Sequence, residues 1–245
     1  MEDDGVVEET RCERRKRLRR WREAAEAARE RRDKARRCAA RNVVVEGGVI
    51  VMRGQPGRGT NRVVMMEWER GYMETLVASL DLTADDDVLE IGLGLGLSAA
   101  AIGRREPRSH VVVEPAPRVL ETAAKTVLLD VRCDTWQHFC ATAEEASFSA
   151  VFFDDFPLAA EDDPDPDPFR SRWPGFLRAV SRILRPNARI TGYLAHERAL
   201  EAVPPCFRVE KIETYEAEVP AECPYHEKGL DACLVPRIRF SPAIY

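Results

Sequence analysis

The segment Val88-Leu-Glu-Ile-Gly-Leu-Gly-Leu-Gly-Leu-Ser98 constrains this chain more than any other. An apolar run enters three glycines at every second position, Gly92, Gly94 and Gly96, and leaves into a stretch of small residues with helical composition. Glycine there lets the backbone turn sharply and approach a ligand closely, while the amides that open the next helix offer donors across it. Further on, a second apolar strand, His110-Val-Val-Val-Glu114, ends in a carboxylate. In the first β-α-β unit of a Rossmann-like sheet, ribose hydroxyls are held at that place. Together the two segments predict an α/β chain with a doubly wound, mostly parallel sheet and a nucleotide-type cofactor over the glycines.

Glu90 bears on which cofactor this is. It precedes the glycines, where it is placed to meet a cationic amino group such as that of a methionine moiety, and this favours S-adenosylmethionine. The dinucleotide pattern asks for a third glycine three residues after the second, and Leu97 stands there. A dinucleotide site and an empty, purely structural strand-to-helix turn are the alternatives.

At 245 residues, the length allows one α/β domain of ordinary size with an appendage, and 44% hydrophobic residues suffice for a core. No run approaches the roughly 18 apolar residues of a membrane span, and the acidic start, Met1-Glu-Asp-Asp, is unlike the basic opening of a signal peptide. The seven cysteines are odd in number and scattered, with no C-x-x-C pair, so neither a disulfide framework nor a metal site is expected. A reducing, cytoplasmic location follows as the expectation. The net charge of -5 conceals an asymmetry, because residues 11–41 carry 15 Lys/Arg against 5 Asp/Glu. That arm is rich in Arg, Ala and Glu and reads as helical, yet its only large apolar residues are Leu18 and Trp21. It is either a solvated extension or an electrostatic arm for a polyanion or an acidic protein. The sequence leaves the oligomeric state open.

Three parts follow: a basic helical arm over 1–41, a β-hairpin and loop over 42–62, and a domain over 63–245. The hairpin is two β-branched runs within 42–52, joined by Glu46-Gly47-Gly48. Apolar residues at Met65, Trp68, Tyr72, Leu76 and Leu80 predict one helix over Val63 to Leu82. Alternating units follow: strand 88–91, helix 96–104, strand 110–114, helix 116–125, a weak strand 127–131 and a strand over 150–154. Helix 174–184, a turn at 185–188, strand 189–193 and a closing antiparallel pair near 207–219 and 233–240 complete the sheet. The acidic, proline-punctuated stretch 161–168 reads as a solvated connector.

In open α/β sheets, ligands gather at the carboxyl ends of the strands, so Asp154 and Asp155, just past Val151-Phe-Phe153, are placed to face the crevice of Gly94 and Glu114. A helix cap or turn former is the bland reading of such an acid. Glu67 and Glu69 cannot both face the core, and one of them is free to look into the cleft.

In their order and spacing, Val64-Met-Met-Glu-Trp-Glu-Arg-Gly-Tyr-Met73, Val88-Leu-Glu-Ile-Gly-Leu-Gly94, His110-Val-Val-Val-Glu114 and Phe153-Asp-Asp-Phe-Pro-Leu158 resemble the guanidinoacetate N-methyltransferase family and the related protein arginine N5-methyltransferases. The likeness spans roughly residues 60–240. It implies a Rossmann-like S-adenosylmethionine-dependent methyltransferase that uses no metal. Glu69 and Asp154 then match the carboxylates that grip the substrate guanidinium, with Asp154 as the base. Met65 and Met73 match residues lining the cofactor and substrate pocket, and Leu194 matches a backbone contact to substrate. On the cofactor side, the resemblance implies Glu90, the loop Gly92, Leu93, Gly94, Leu95, Gly96, Leu97 and Ser98, the ribose acid Glu114 with Pro115, and the adenine-side segment Trp136-Gln137. The chain departs from the family in its arm and hairpin, in Leu95 after the second loop glycine, and in Asp155, which adds a charge beside the site where threonine is common. Whether Trp21 closes the site is left open.

The chemistry supports the same reading. A guanidinium is planar and stays protonated at neutral pH, so it is a poor nucleophile until a proton leaves; two carboxylates can hold its N–H fork while one accepts that proton. Two such acids side by side raise each other's proton affinity when the site is empty. The expected substrate is a small guanidino compound, guanidinoacetate or free arginine. Arginine within a protein, another acceptor for the same methyl donor, and a non-catalytic binding module with this fold are the competing readings.

Overall fold

The computed structural model describes residues 43–53, 62–123, 130–155, 172–217, 220 and 233–242, together with five residues of the arm, Glu23, Glu26, Arg29, Glu30 and Asp33, which are helical. Trp21, most of the Gly/Pro-rich loop before residue 62 and the acidic stretch 161–168 lie outside the described residues.

Among the described residues the strands form two sheets. The smaller one contains β1 (Val43–Glu46), β2 (Val49–Met52) and β3 (Arg62–Met66), all antiparallel. Gly47 and Gly48, both at positive φ, make the two-residue turn that the sequence predicts. The third strand corrects the expected helix over Val63 to Leu82. Residues 62–66 pair with β2, a short 3-10 turn covers Glu67–Glu69, and helix α1 runs only from Arg70 to Ala78. β3 thereby crosses the 62/63 boundary expected between hairpin and domain.

The larger sheet is built from β4 (Asp87–Ile91), β5 (Ser109–Val113), β6 (Asp130–Arg132), β7 (Phe148–Phe153), β8 (Leu184–Gly192), β9 (Phe207–Tyr215) and β10 (Cys233–Phe240). Their order is β6-β5-β4-β7-β8-β10-β9, with the first five parallel and β10 antiparallel to both its neighbours. The helices are α2 (Leu97–Gly103), α3 (Pro117–Ala123), α4 (Trp136–Thr142) and α5 (Trp173–Val180). This is a Rossmann-like α/β fold. The turn expected at 185–188 is absorbed into β8 as an irregularity in its pairing with β7, where Asn187 adopts φ 65°.

Central strands are apolar on both faces, so successive residues feed two different cores. Val88, Val112, Ala150 and Phe152 join one cluster with Tyr72, Met73 and Leu76 of α1, with α2, and with Val43, Ile50 and Met52 of the small sheet. Leu89, Ile91, Val113, Val151 and Phe153 join the other, with Phe176 and Leu177 of α5. The parity matters for the site because it fixes the face toward which each residue beyond a strand end points.

Cys133, Cys140, Cys206 and Cys233 are free thiols. Among the described residues, no His/Cys/Asp/Glu group is arranged to hold a metal, and no helix is long and apolar enough to cross a membrane.

Candidate active site

The glycine loop sits at the carboxyl end of β4, as the spacing predicts. Gly92, Gly94 and Gly96 all adopt positive φ, at 84°, 52° and 75°. At Gly92 the surroundings also forbid a side chain, and at Gly94 one would have to push the flexible Met65 side chain aside. A β-carbon on Gly92 would lie 2.0 Å from the Asp154 carbonyl oxygen, and one on Gly94 would lie 2.5 Å from the sulfur of Met65. Met65 closes over the loop from β3, and its sulfur accepts from the Leu95 amide at 3.2 Å.

Glu114 reaches the same loop from the end of β5. Its carboxylate accepts from the amides of Leu93 at 3.0 Å and Ala116 at 2.7 Å. Burial raises the Glu114 carboxyl to about 7, although these amides pull it down. Pro115 follows it, half-buried. The loop thus presents bare backbone beside a carboxylate with lone pairs to spare, which fits a ligand carrying vicinal hydroxyls.

Glu90 behaves differently from the expectation that it meets a ligand's amino group. It is fully buried under the loop; one oxygen accepts from the Ser98 hydroxyl at 2.5 Å and the other lies 2.7 Å from His110 Nε2. Its position in the structure ties the start of α2 to β5. Leu93, Leu97 and Ser98 are buried too, so the loop has chiefly backbone to offer there. Met73, expected to line the substrate pocket, is wholly buried and belongs to the same core cluster as Tyr72 and Leu76.

Parity at the end of β7 separates the two aspartates. Phe152 faces α1 and Phe153 faces α5, so Asp154 turns toward α1 and Asp155 toward α5. Asp155 accepts from Trp136 Nε1 at 2.6 Å and pairs with Arg172 at 3.0 Å. The charge expected beside the site is therefore paired with Arg172, and Asp155 serves to hold the Trp136-Gln137 segment. The Trp136 indole is edge-on to Phe153 and Phe176, with centroids 6.2 and 5.6 Å away.

The Asp154 amide donates to the Ile91 carbonyl at 2.9 Å, but its carboxylate has no hydrogen-bond or ion-pair partner among the described residues. Burial raises its carboxyl to about 7, with the charges of Asp155, Glu90 and Glu114 adding to the effect. Facing it is Glu69, at the head of α1 and only 4% exposed, whereas Glu67 is exposed and paired with Arg70. Glu69 accepts from the Met66 amide at 2.7 Å. Burial, with a contribution from Asp154, raises the Glu69 carboxyl to about 8.

The opposite end of the sheet shows what these acids lack. Asp87 is paired with Arg108 and, at 2.5 Å, with Arg185, and the Arg108 hydrogen bond holds its carboxyl well below the usual range. Asp86 is paired with Arg189. Among the described residues, neither Glu69 nor Asp154 has any such cation.

The sequence reading missed Tyr72, Tyr193 and Cys233, which stand around the two acids. The burial-raised Tyr193 phenol feels Asp154, Glu69 and Cys233, and Tyr72 donates to the Leu234 carbonyl at 2.5 Å while accepting from the Leu194 amide at 3.4 Å. The strand-end rule that picked out Asp154 applies equally to Tyr193, the first residue after β8. Leu194 is buried, and its amide is already engaged by Tyr72.

Comparison with known proteins bears on this arrangement. The model of the family Guanidinoacetate N-methyltransferase matches residues 58–171. No curated protein sequence matches. Among solved structures, N-methyltransferase NodS from Bradyrhizobium japonicum WM9 is similar at TM-score 0.53 and 14% identity, over 71% of this chain and 97% of that one. NodS is also known in complex with S-adenosyl-l-homocysteine, and that structure is similar at TM-score 0.50 and 12% identity, over 71% and 88%. Spermidine synthase from Thermotoga maritima is similar at TM-score 0.52 and 14% identity, over 83% and 74%. At such identities these neighbours speak for the fold. The chain has the Rossmann-like α/β fold of these neighbours, and its residues 58–171 match the model of the guanidinoacetate N-methyltransferase family.

Proposed function

We propose that this protein is an S-adenosylmethionine-dependent N-methyltransferase acting on the guanidino group of a small molecule, guanidinoacetate or free arginine. One observation carries the reading. Two acids from different elements, Glu69 and Asp154, have proton affinities raised by burial, lie near enough for Asp154 to raise Glu69 further, and have no paired cation among the described residues. Burying uncompensated carboxylates is unfavourable unless a ligand supplies the charge, and a planar guanidinium matches two carboxylates through its N–H fork.

In this reading the loop Gly92 to Ser98, Glu114 with Pro115, Met65 and Trp136-Gln137 hold S-adenosylmethionine. It supplies a methyl group on a cationic sulfur. Glu69 would orient the guanidinium, and Asp154 would take the N–H proton onto a carboxylate oxygen as the methyl carbon exchanges its bond to sulfur, left as a neutral thioether, for one to nitrogen. With both partners aligned on rigid strand and helix ends, positioning and the acid pair supply most of the acceleration. The catalytic unit is residues 63–245 with the hairpin before it, and the arm 1–41 is accessory: a solvated extension or, through its basic residues 11–41, a docking arm for a polyanion or acidic protein.

The test is mass spectrometry of the purified protein with S-adenosylmethionine and guanidinoacetate, arginine, agmatine or an arginine-containing peptide, beside Glu69→Gln and Asp154→Asn. One added methyl on a small guanidine, lost in both variants while S-adenosylhomocysteine still binds, supports the proposal. Methylation of the peptide alone moves the assignment to protein arginine, and no transfer to any guanidine sinks it.

A further inference from the structure

Tyr193 is the first residue beyond β8. Its amide donates to the Phe153 carbonyl at 3.0 Å, which sets it beside Asp154 on the neighbouring strand end. The parity that turns Asp154 toward α1 also turns Tyr193 there. Its ring lies edge-on to Tyr72, with centroids 6.2 Å and planes 74° apart, and Tyr72 is three residues past Glu69. The ring therefore sits between the two elements that deliver the acids.

The surroundings hold it in place. Tyr72 is anchored through its hydroxyl to Leu234 and Leu194, and its ring stacks on Tyr215 with centroids 5.8 Å apart. On the other side, Trp173 Nε1 donates to the Tyr193 carbonyl at 3.1 Å. The Tyr193 side chain is half-buried, and among the described residues its hydroxyl has no hydrogen-bond partner. No part of the mechanism above uses it.

Two carboxylates alone attract any cation. A compact ammonium is strongly hydrated, whereas a guanidinium is flat, weakly hydrated and stacks on aromatic rings. Discrimination between them needs a further element that acts on one more than the other. We propose that Tyr193 is that specificity-determining residue: its ring is the aromatic wall of the cation pocket formed by Glu69 and Asp154, and it selects a planar guanidinium over an ammonium. The proposal rests on the guanidino reading of this site.

The experiment measures calorimetric affinities for methylguanidinium and methylammonium, with S-adenosylhomocysteine bound, in the wild type, Tyr193→Phe and Tyr193→Leu, together with KM and kcat for the methylated guanidine. Binding of S-adenosylhomocysteine reports that each variant is folded, and Tyr193→Met replaces leucine should that variant fail this check. The expected result is that removing the ring weakens methylguanidinium by about 5- to 30-fold and methylammonium by less than about threefold. KM rises more than kcat falls, and phenylalanine recovers most of the loss. Unchanged affinity in the leucine variant, or equal loss for both cations, overturns the proposal while methyl transfer to guanidines still stands. A wild type that binds methylguanidinium no better than methylammonium overturns it as well. Ring-dependent methylguanidinium binding without methyl transfer to any guanidine upholds the wall and sinks the methyltransfer reading alone.

Discussion

The carbonyl oxygen of Asp154 passes so close to Gly92 that a β-carbon there would stand 2.0 Å from it. Two parts of the candidate site, the glycine loop and the strand end that carries Asp154, are thus in direct contact through backbone. Gly92 also adopts φ 84°, where an L side chain is strained. Gly92→Ala is expected to lose about 2 kcal/mol or more of stability. It should also displace Asp154 and lower kcat/KM by roughly 100-fold or more, because sub-ångström alignment is what this chemistry depends on. Denaturant unfolding and steady-state kinetics on the same preparation check both effects.

Exchanging the acids separates their roles. Asp154→Asn removes the proposed proton acceptor and is expected to lower kcat by about 10²- to 10⁴-fold. Glu69→Gln keeps the acceptor for the Met66 amide and should raise KM for the guanidine more than it lowers kcat. Steady-state kinetics at saturating S-adenosylmethionine distinguishes the two patterns; equal kcat losses with unchanged KM would contradict this division of labour.

Much of this arrangement was legible from local pattern because it depends on short-range chemistry. The three glycines, the acid ending β5 and the parity of Val151-Phe-Phe-Asp-Asp155 are fixed by strand alternation and turn geometry. What was not legible depends on distant partners. Met65, Trp68, Tyr72, Leu76 and Leu80 fit a helical period, yet residues 62–66 pair with β2, which the period cannot register. The turn signal at 185–188 was real in Asn187, but the neighbouring β7 absorbs it as an irregular pairing. Glu90 reads locally as a ligand acid, and only the juxtaposition of β4 with β5 brings His110 against it.

The raised carboxyls carry a pH dependence whose sign follows from their direction. Glu69 at about 8, with Asp154 and Glu114 at about 7, lies above the ordinary carboxylate range. Groups raised in the folded state favour folding below their unfolded pKa, and that stability is lost as pH rises through the folded values. The ligand-free protein should therefore become less stable between pH 5 and 8, while kcat/KM rises over about pH 7 to 8 as the pair ionises. At pH 8, Asp154→Asn removes one buried charge, and its melting temperature should exceed that of the wild type by ~3 °C, the shift expected for about 1 kcal/mol in a chain of this size. Melting curves across this range test the sign directly, and a wild type that gains stability toward pH 8 contradicts it.

Asp155 offers a test of the cofactor side that leaves the acid pair in place. Its carboxylate joins Trp136 on α4 to Arg172 just before α5. Asp155→Ala leaves a largely buried indole N–H without its acceptor and a guanidinium without its acid, a loss of about 1–3 kcal/mol. Asp155→Asn keeps an acceptor within reach of Trp136 and should lose less. If Trp136-Gln137 forms the adenine side of the pocket, the alanine variant also binds S-adenosylhomocysteine about tenfold more weakly, because the segment loses its tether. Calorimetric titration decides the point: a destabilised variant with wild-type affinity would make Asp155 a purely structural clamp between α4 and α5.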